Sequence, residues 1–134
     1  MFGVQTKFTD KSSNVRRAAD KGIFRNLFHA SASIRKLAAS LIRSAPSSEP
    51  SDPGEPPHTH RRAWYRRALR FDVNSQKQDA VIGFRASVIG DVGAVHEFGE
   101  ERGGVKFPKR PTLGPALEQT APRIGVQWKG SIGA

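Results

Sequence analysis

The chain is expected to fold as an α+β protein: a long N-terminal helix packed on a small antiparallel sheet, with a second short helix near the C-terminus. Three observations lead there. Apolar residues in the first third recur at helical spacing, the apolar period falls to two after residue 60, and a proline-bounded helix-forming stretch stands near residue 115. The 134 residues suit one domain, 1–134.

Residues 1–12 form an N-terminal arm, and 13–45 the long helix. Ile23, Leu27, Ala30, Ile34, Leu37 and Leu41 are spaced 4-3-4-3-4, which gathers them within an arc of roughly 80°. Arg17, Lys21, Arg25, Arg35, Lys36 and Arg43 are expected on the opposite side. Ser12, Ser13 or Asn14 can cap the start, Gly22 marks a place where a break is possible, and Pro46 ends the helix. Phe24, Phe28 and Ile42 lie off the seam. A loop or the arm (Val4 to Phe8) covers them, or they form a subunit interface.

Residues 46–60 hold five prolines between Pro46 and Pro57 and predict an exposed, extended, mobile loop with no core of its own. Residues 61–99 are expected to be antiparallel strands. Leu69, Phe71 and Val73 alternate with Arg70 and Asp72, Asn74 to Gln78 is a polar turn, and Ala80 to Phe84 returns as the second strand. Val88-Ile89 and Val92 to Phe98 are shorter extended or helical pieces between glycines. Residues 100–134 supply a turn, a short helix from Pro111 to Ala121 with Thr112 as N-cap and Pro122 as its stop, and a tail. Ile124, Val126, Trp128 and Ile132 alternate in that tail, as in an edge strand or a segment that docks on another chain.

Composition narrows the function. Lys and Arg number 22 against 12 Asp and Glu, a formal charge of +10, so a polyanion or an acidic protein surface is the expected neighbour. The charge is blocked. Residues 1–45 carry +7, the Pro-rich segment −3, and residues 61–70 carry five Arg and no acid. Absence of Cys excludes a disulfide framework, a thiol nucleophile and any Cys-ligated metal. No membrane span and no secretory leader stands out, so the expectation is a soluble protein made in a cytoplasm, without a membrane partner.

Catalytic patterns are missing. His58-x-His60 is the one clustered pair of metal-type ligands, and it sits in the Pro-rich loop, where solvated histidines are expected. His96 and Glu97, adjacent on an expected strand, would point to opposite faces. The sequence has no nucleophile elbow, phosphate-binding loop or dinucleotide fingerprint. The expectation is a non-enzymatic role with no cofactor and no metal. The strongest nucleic-acid signal is Arg61-Arg62-Ala63-Trp64-Tyr65-Arg66-Arg67, followed by Arg70. Arginine pairs phosphates bidentately, and aromatic rings stack on bases. On a strand the adjacent Trp64 and Tyr65 would face opposite ways, one of them into the core.

Late in the chain stand Val95-His96-Glu97-Phe98-Gly99 and Phe107-Pro108-Lys109-Arg110-Pro111-Thr112-Leu113-Gly114-Pro115-Ala116-Leu117. Preceded by the helix, Ser44-Ala45-Pro46 and the strand pair, they resemble the tail-component family of long-tailed double-stranded-DNA bacteriophages, the "gene product ten"-like minor tail (neck, tail-completion) proteins. The resemblance spans about residues 14–122. It departs at Thr112, where that family usually has Phe, and at Thr59-His60-Arg61-Arg62 before the first strand.

The resemblance implies a virion structural protein, made in the host cytoplasm, that forms a ring of six copies at the head–tail junction. Its partners would be copies of itself, the head connector or adaptor, and the tail tube or terminator protein, with non-specific proximity to the genome passing through its channel. In that setting Glu97-Phe98-Gly99 would end a strand with Phe98 buried on the helix seam. Arg110-Pro111 would lead into the second helix, with Leu113, Ala116 and Leu117 as its buried face and Pro115 in its first turn. Arg61, Arg62, Arg66, Arg67 and Arg70 would line the channel or meet an adjacent ring, and Phe24, Phe28 and Ile42 would meet the next subunit. The alternative is a small basic nucleic-acid-binding protein of ribosomal or nucleoid type, and a third possibility is a nuclease whose site is hidden from motif reading.

Overall fold

The computed structural model describes residues 3, 7, 9–60 and 63–129. Its elements run α1 (Ser12–Leu41), α2 (Trp64–Arg67), β1 (Leu69–Asn74), β2 (Asp79–Phe84), α3 (Ala86–Ile89), α4 (Val92–Phe98), β3 (Glu100–Arg102), β4 (Val105–Phe107) and α5 (Leu113–Trp128). The chain is α+β. A long helix carries a two-stranded antiparallel sheet and a C-terminal helix, and a second small hairpin stands apart.

Helix α1 runs unbroken through Gly22. Its start is held by Asp10, whose carboxylate accepts the Ser12 N–H at 2.8 Å, and not by a hydroxyl of the first turn. That bond holds the Asp10 carboxyl below the usual range. The deepest line on α1 is Gly22, Asn26, Ala30, Ile34, Ala38, continuing to Ile42 just past its end. It steps by four, and the larger seam residues Leu27, Leu37 and Leu41 flank it half-buried. Small side chains let the neighbouring elements approach closest along that line. Arg35 is not on the solvent face: its Nε donates to the Leu69 carbonyl at 2.9 Å.

Strands β1 and β2 pair from Leu69↔Phe84 to Asn74↔Asp79. The Asn74 side chain accepts the N–H groups of Gln76 and Lys77 and closes the turn. Leu69, Phe71 and Val73 face α1, as the period-two pattern requires. The core joins Ile34, Ala38, Ile42, Tyr65, Leu69 and Ala116.

Ile42 is 1% exposed and belongs to this core, so its expected place in a subunit interface is corrected. The chain bends at Ile42, the C-cap of α1, and an extended cap residue turns its side chain away from the helical angle the seam assumes.

The other expected interface residues differ. Phe24 and Phe28 are both exposed, at 41% and 46%, although Phe28 also meets Phe71 at a centroid distance of 5.2 Å.

Within the segment 61–99 expected as strands, the pieces left open as extended or helical are helical, at Ala86–Ile89 and Val92–Phe98. Gly90 and Gly99 both have positive φ and end their short helices, and Gly93 lies so close to Phe84 that a Cβ there would stand 2.8 Å from it. Trp64 and Tyr65 sit on the single turn α2. Tyr65 is the core member, and Trp64 is 61% exposed.

Helix α5 passes through Pro122 and ends at Trp128. An interior proline costs about 3 kcal/mol, yet the buried line Ala116, Thr120 continues to half-buried Ile124 beyond it, and α5 lies along α1. Burial of that face outweighs one lost hydrogen bond. The expected strand-like tail is therefore helical to 128.

The Pro-rich segment is tied down. Thr59 bridges Ser44 in parallel, Ser51, Pro57 and Thr59 are buried, and the Gly54 N–H donates to the Lys109 carbonyl at 2.7 Å. It lacks apolar side chains to pack, so backbone hydrogen bonds hold it in place of a core.

Candidate functional site

The two late motifs meet in space. Glu97 lies on α4, and its carboxylate reaches the start of α5. Oε2 accepts the N–H groups of Thr112 (2.9 Å) and Leu113 (3.1 Å), and Oε1 accepts that of Gly114 (2.8 Å). A helix start leaves such donors unmatched, and a carboxylate there also complements the positive end of the helix dipole. Thr112 stands at the N-cap position, but its side chain makes no capping bond, because Glu97 occupies that role from a distance of 15 residues. The His96 carbonyl accepts the Arg110 N–H at 2.7 Å, and Arg110 Nε donates to the Ser51 carbonyl at 2.9 Å. Gly99 turns the chain with φ +72°, where a Cβ would crowd Lys109 and the Phe107 carbonyl.

These roles are structural, and two differ from expectation. Phe98 is 72% exposed and does not sit on the α1 seam. On a helical α4 it lies about a quarter-turn round from Glu97, on the solvent side. Leu117 is half-exposed, whereas Ala116 is fully buried and Leu113 partly so. Helical spacing puts Thr120, and not Leu117, in line with Ala116.

Beside the junction is an open groove of about 920 Å³ whose lining includes Trp64, Tyr65, Val92, His58, His60 and His96. Tyr65 packs on Phe84 (4.4 Å) and meets the edge of His96 (5.4 Å). Its hydroxyl is buried without a hydrogen-bond partner, and burial, helped by the Glu97 charge, pushes its pKa up. His96 is pushed down, first by burial and then by the Arg110 charge. His58 and His60 are not idle solvated rings. Each donates Nδ1–H to a backbone carbonyl, of Glu49 and Ala45 respectively, and so staples the Pro-rich loop. Among the described residues no group of three or more His, Asp or Glu is placed to hold a metal ion.

The arginine block is divided. Arg61 and Arg62 lie outside the described residues. Arg66 Nη2 donates to the Ile42 carbonyl at 2.7 Å and closes the C-terminal end of α1, so it is committed inside the chain. Arg70 Nη1 donates to the Leu69 carbonyl, and Arg67 is exposed.

Among the described residues, two of the exposed apolar patches lie on separate elements. One is on α1, with Phe24 and Phe28, whose ring centroids stand 6.4 Å apart. The other joins α4 to the β3–β4 hairpin, with Phe98, Val105 and Phe107. The hairpin was read from sequence only as a turn at Glu100 to Gly104. Its signal was Gly103-Gly104 between two short alternating runs. Arg102 pairs with Asp91 and with Glu100, which fixes the hairpin against the start of α4 and holds the Asp91 carboxyl below its ordinary range.

No family model, curated protein or solved structure matches the chain. Among the described residues no helix is long and apolar enough to cross a membrane.

Proposed function

We propose that this chain is a structural subunit that assembles with copies of itself into a ring, at the neck or tail-completion layer of a long-tailed bacteriophage. The observation that carries the reading is the presence of two different exposed apolar surfaces, on α1 and on α4 with the β3–β4 hairpin, elements that do not pack on one another. A head-to-tail contact needs two unlike complementary patches on one subunit, and repeated rotation closes a ring where the rotation angle divides the full turn. Exposed apolar patches on a small protein mark interfaces. The sequence resemblance supplies the virion setting, and the charge of +10 suits a ring with DNA passing through it.

Light scattering and electron microscopy of the purified chain test this. Rings, or docking on purified heads or tails, are expected. Phe24→Asp and Phe98→Asp should each abolish assembly while helicity in circular dichroism is kept. A protein that stays monomeric at all concentrations and docks on neither would remove the reading.

One observation favours the alternative of a basic nucleic-acid-binding protein. Trp64 and Arg67 are both exposed on the one turn of α2, and an exposed aromatic ring with arginine on the same turn suits stacking on a base. A monomer that binds single-stranded DNA at physiological salt, and loses that binding on Trp64→Ala, would establish it instead.

A further inference from the structure

We infer that the free edge of β2 is a docking site for the N-terminal arm of a second copy of this chain, which adds there as a third strand. The inference deepens the ring reading and rests on its self-assembly component.

The geometry begins with the β1–β2 ladder. The Arg85 N–H donates to the Ala68 carbonyl, one step beyond the Leu69↔Phe84 pair. Antiparallel bonding alternates, so the bonded pairs are Arg70/Gly83, Asp72/Val81 and Asn74/Asp79. The N–H and C=O groups of Ala80, Ile82 and Phe84 then point away from β1, and none of them meets a partner among the described residues. The outer edge of β1 is partly closed: Arg35 and Arg70 both hold the Leu69 carbonyl and the Asp72 carboxylate accepts the Val73 N–H, which leaves the Phe71 groups unmatched among the described residues. A sheet edge left open is a template for another strand.

Beside the open edge is an apolar cleft of about 430 Å³. Leu27 and Ile34 of α1 form its floor, Ala80 and Ile82 one wall, Leu117 and Ile124 of α5 the other. A strand laid along β2 would send every second side chain into this cleft. The half-exposed Leu117 would then be covered.

The arm has the matching pattern. Phe2, Val4, Thr6 and Phe8 fall on one side of an extended chain, and Gly3, Gln5 and Lys7 on the other. At 3.3 Å per residue, residues 2–8 span roughly 23 Å and the six residues of β2 roughly 20 Å. In the single chain, Gly3 and Lys7 are exposed and in no strand. A partner in trans follows from where the arm starts. Asp20 accepts a bond from Gln78, which places the β1–β2 turn beside Asp20. Ser12 lies eight residues further out, about 12 Å along the helix axis. Residues 9–11, from which the arm departs, therefore lie beyond the end of the sheet and not beside the cleft of their own chain.

The absence of native Cys gives a clean test. A Val4→Cys chain and a Leu117→Cys chain are mixed and treated with a bifunctional thiol cross-linker, and light scattering follows the full-length chain beside one lacking residues 1–9. The expected result is a cross-linked species of twice the chain mass in the mixture, and loss of the oligomer on arm removal. In a third chain carrying both cysteines, cross-linking confined within single chains would place the arm in its own cleft and overturn the inference, as would no cross-link at all in the mixture. Rings that persist without residues 1–9 would sink the arm but leave the ring reading standing, whereas a full-length monomer would sink both.

Discussion

The start of α5 and the edge of β2 pose the same physical problem and meet it in opposite ways. Each ends a regular element with backbone groups that the element itself cannot match. At α5 the chain brings Glu97 from another helix to accept three N–H groups. At β2 the groups of Ala80 and Ile82 open onto an apolar cleft. A chain able to build the first closure at long range could have covered the second. Matched ends therefore read as architecture, and the unmatched end as surface kept for another chain.

Removing the closure at α5 should have the largest effect. Glu97→Ala leaves three amide donors in a half-buried site and costs about 2–3 kcal/mol. Urea denaturation should show the midpoint fall with little change in slope. A loss under 0.5 kcal/mol would mean that water replaces the carboxylate and that the contrast with β2 is empty.

The end of α1 sharpens the same contrast inside the arginine block. Arg66 caps the Ile42 carbonyl, while Arg67 is exposed beside it. Arg66→Ala should cost about 1–2 kcal/mol, and Arg67→Ala less than about 0.5 kcal/mol. Equal costs in thermal unfolding would show that the Arg66 bond is not a closure. If only Arg67→Ala weakens ring docking or DNA retention, the two arginines divide between fold and function.

What the sequence disclosed follows from how far each signal reaches. The long helix, the Leu69–Phe84 hairpin and a C-terminal helix were legible because their periods are local. The pairing of Glu97 with the start of α5 was not, since a carboxylate 15 residues away competes with a local Thr112 cap that looks equally good in one dimension. Short helices α3 and α4 were ambiguous because apolar runs of four to seven residues between glycines carry no period. Ile42 looked like an interface residue only while the helix was assumed to continue past it. Pro122 misled because the local cost of a proline is plain in sequence, and the packing of Ile124 that offsets it is not. Of the candidate surfaces, the arginine block showed in sequence, but the division between Arg66 and Arg67 depends on where the end of α1 falls.

The smallest expected effect is a pH dependence centred on His96, which sits between the two regions through Tyr65. Burial and the Arg110 charge lower its pKa in the folded chain, while the unfolded chain titrates near the free value of 6.5. Below that value the unfolded state binds more protons than the folded state, so stability is complete above about pH 6.5 and declines as the pH falls through it. Part of the ring is solvent-exposed, which keeps the effect small. His96→Phe preserves the ring edge against Tyr65 and removes the titration. Stability measured from pH 7.5 to 5 should therefore fall for the native chain and flatten for His96→Phe. A native curve that rises toward pH 5 would mean that His96 gains its proton on folding. The α4–α5 junction would then be held by an added positive charge near Glu97, and the account of a closure made by Glu97 alone would fail.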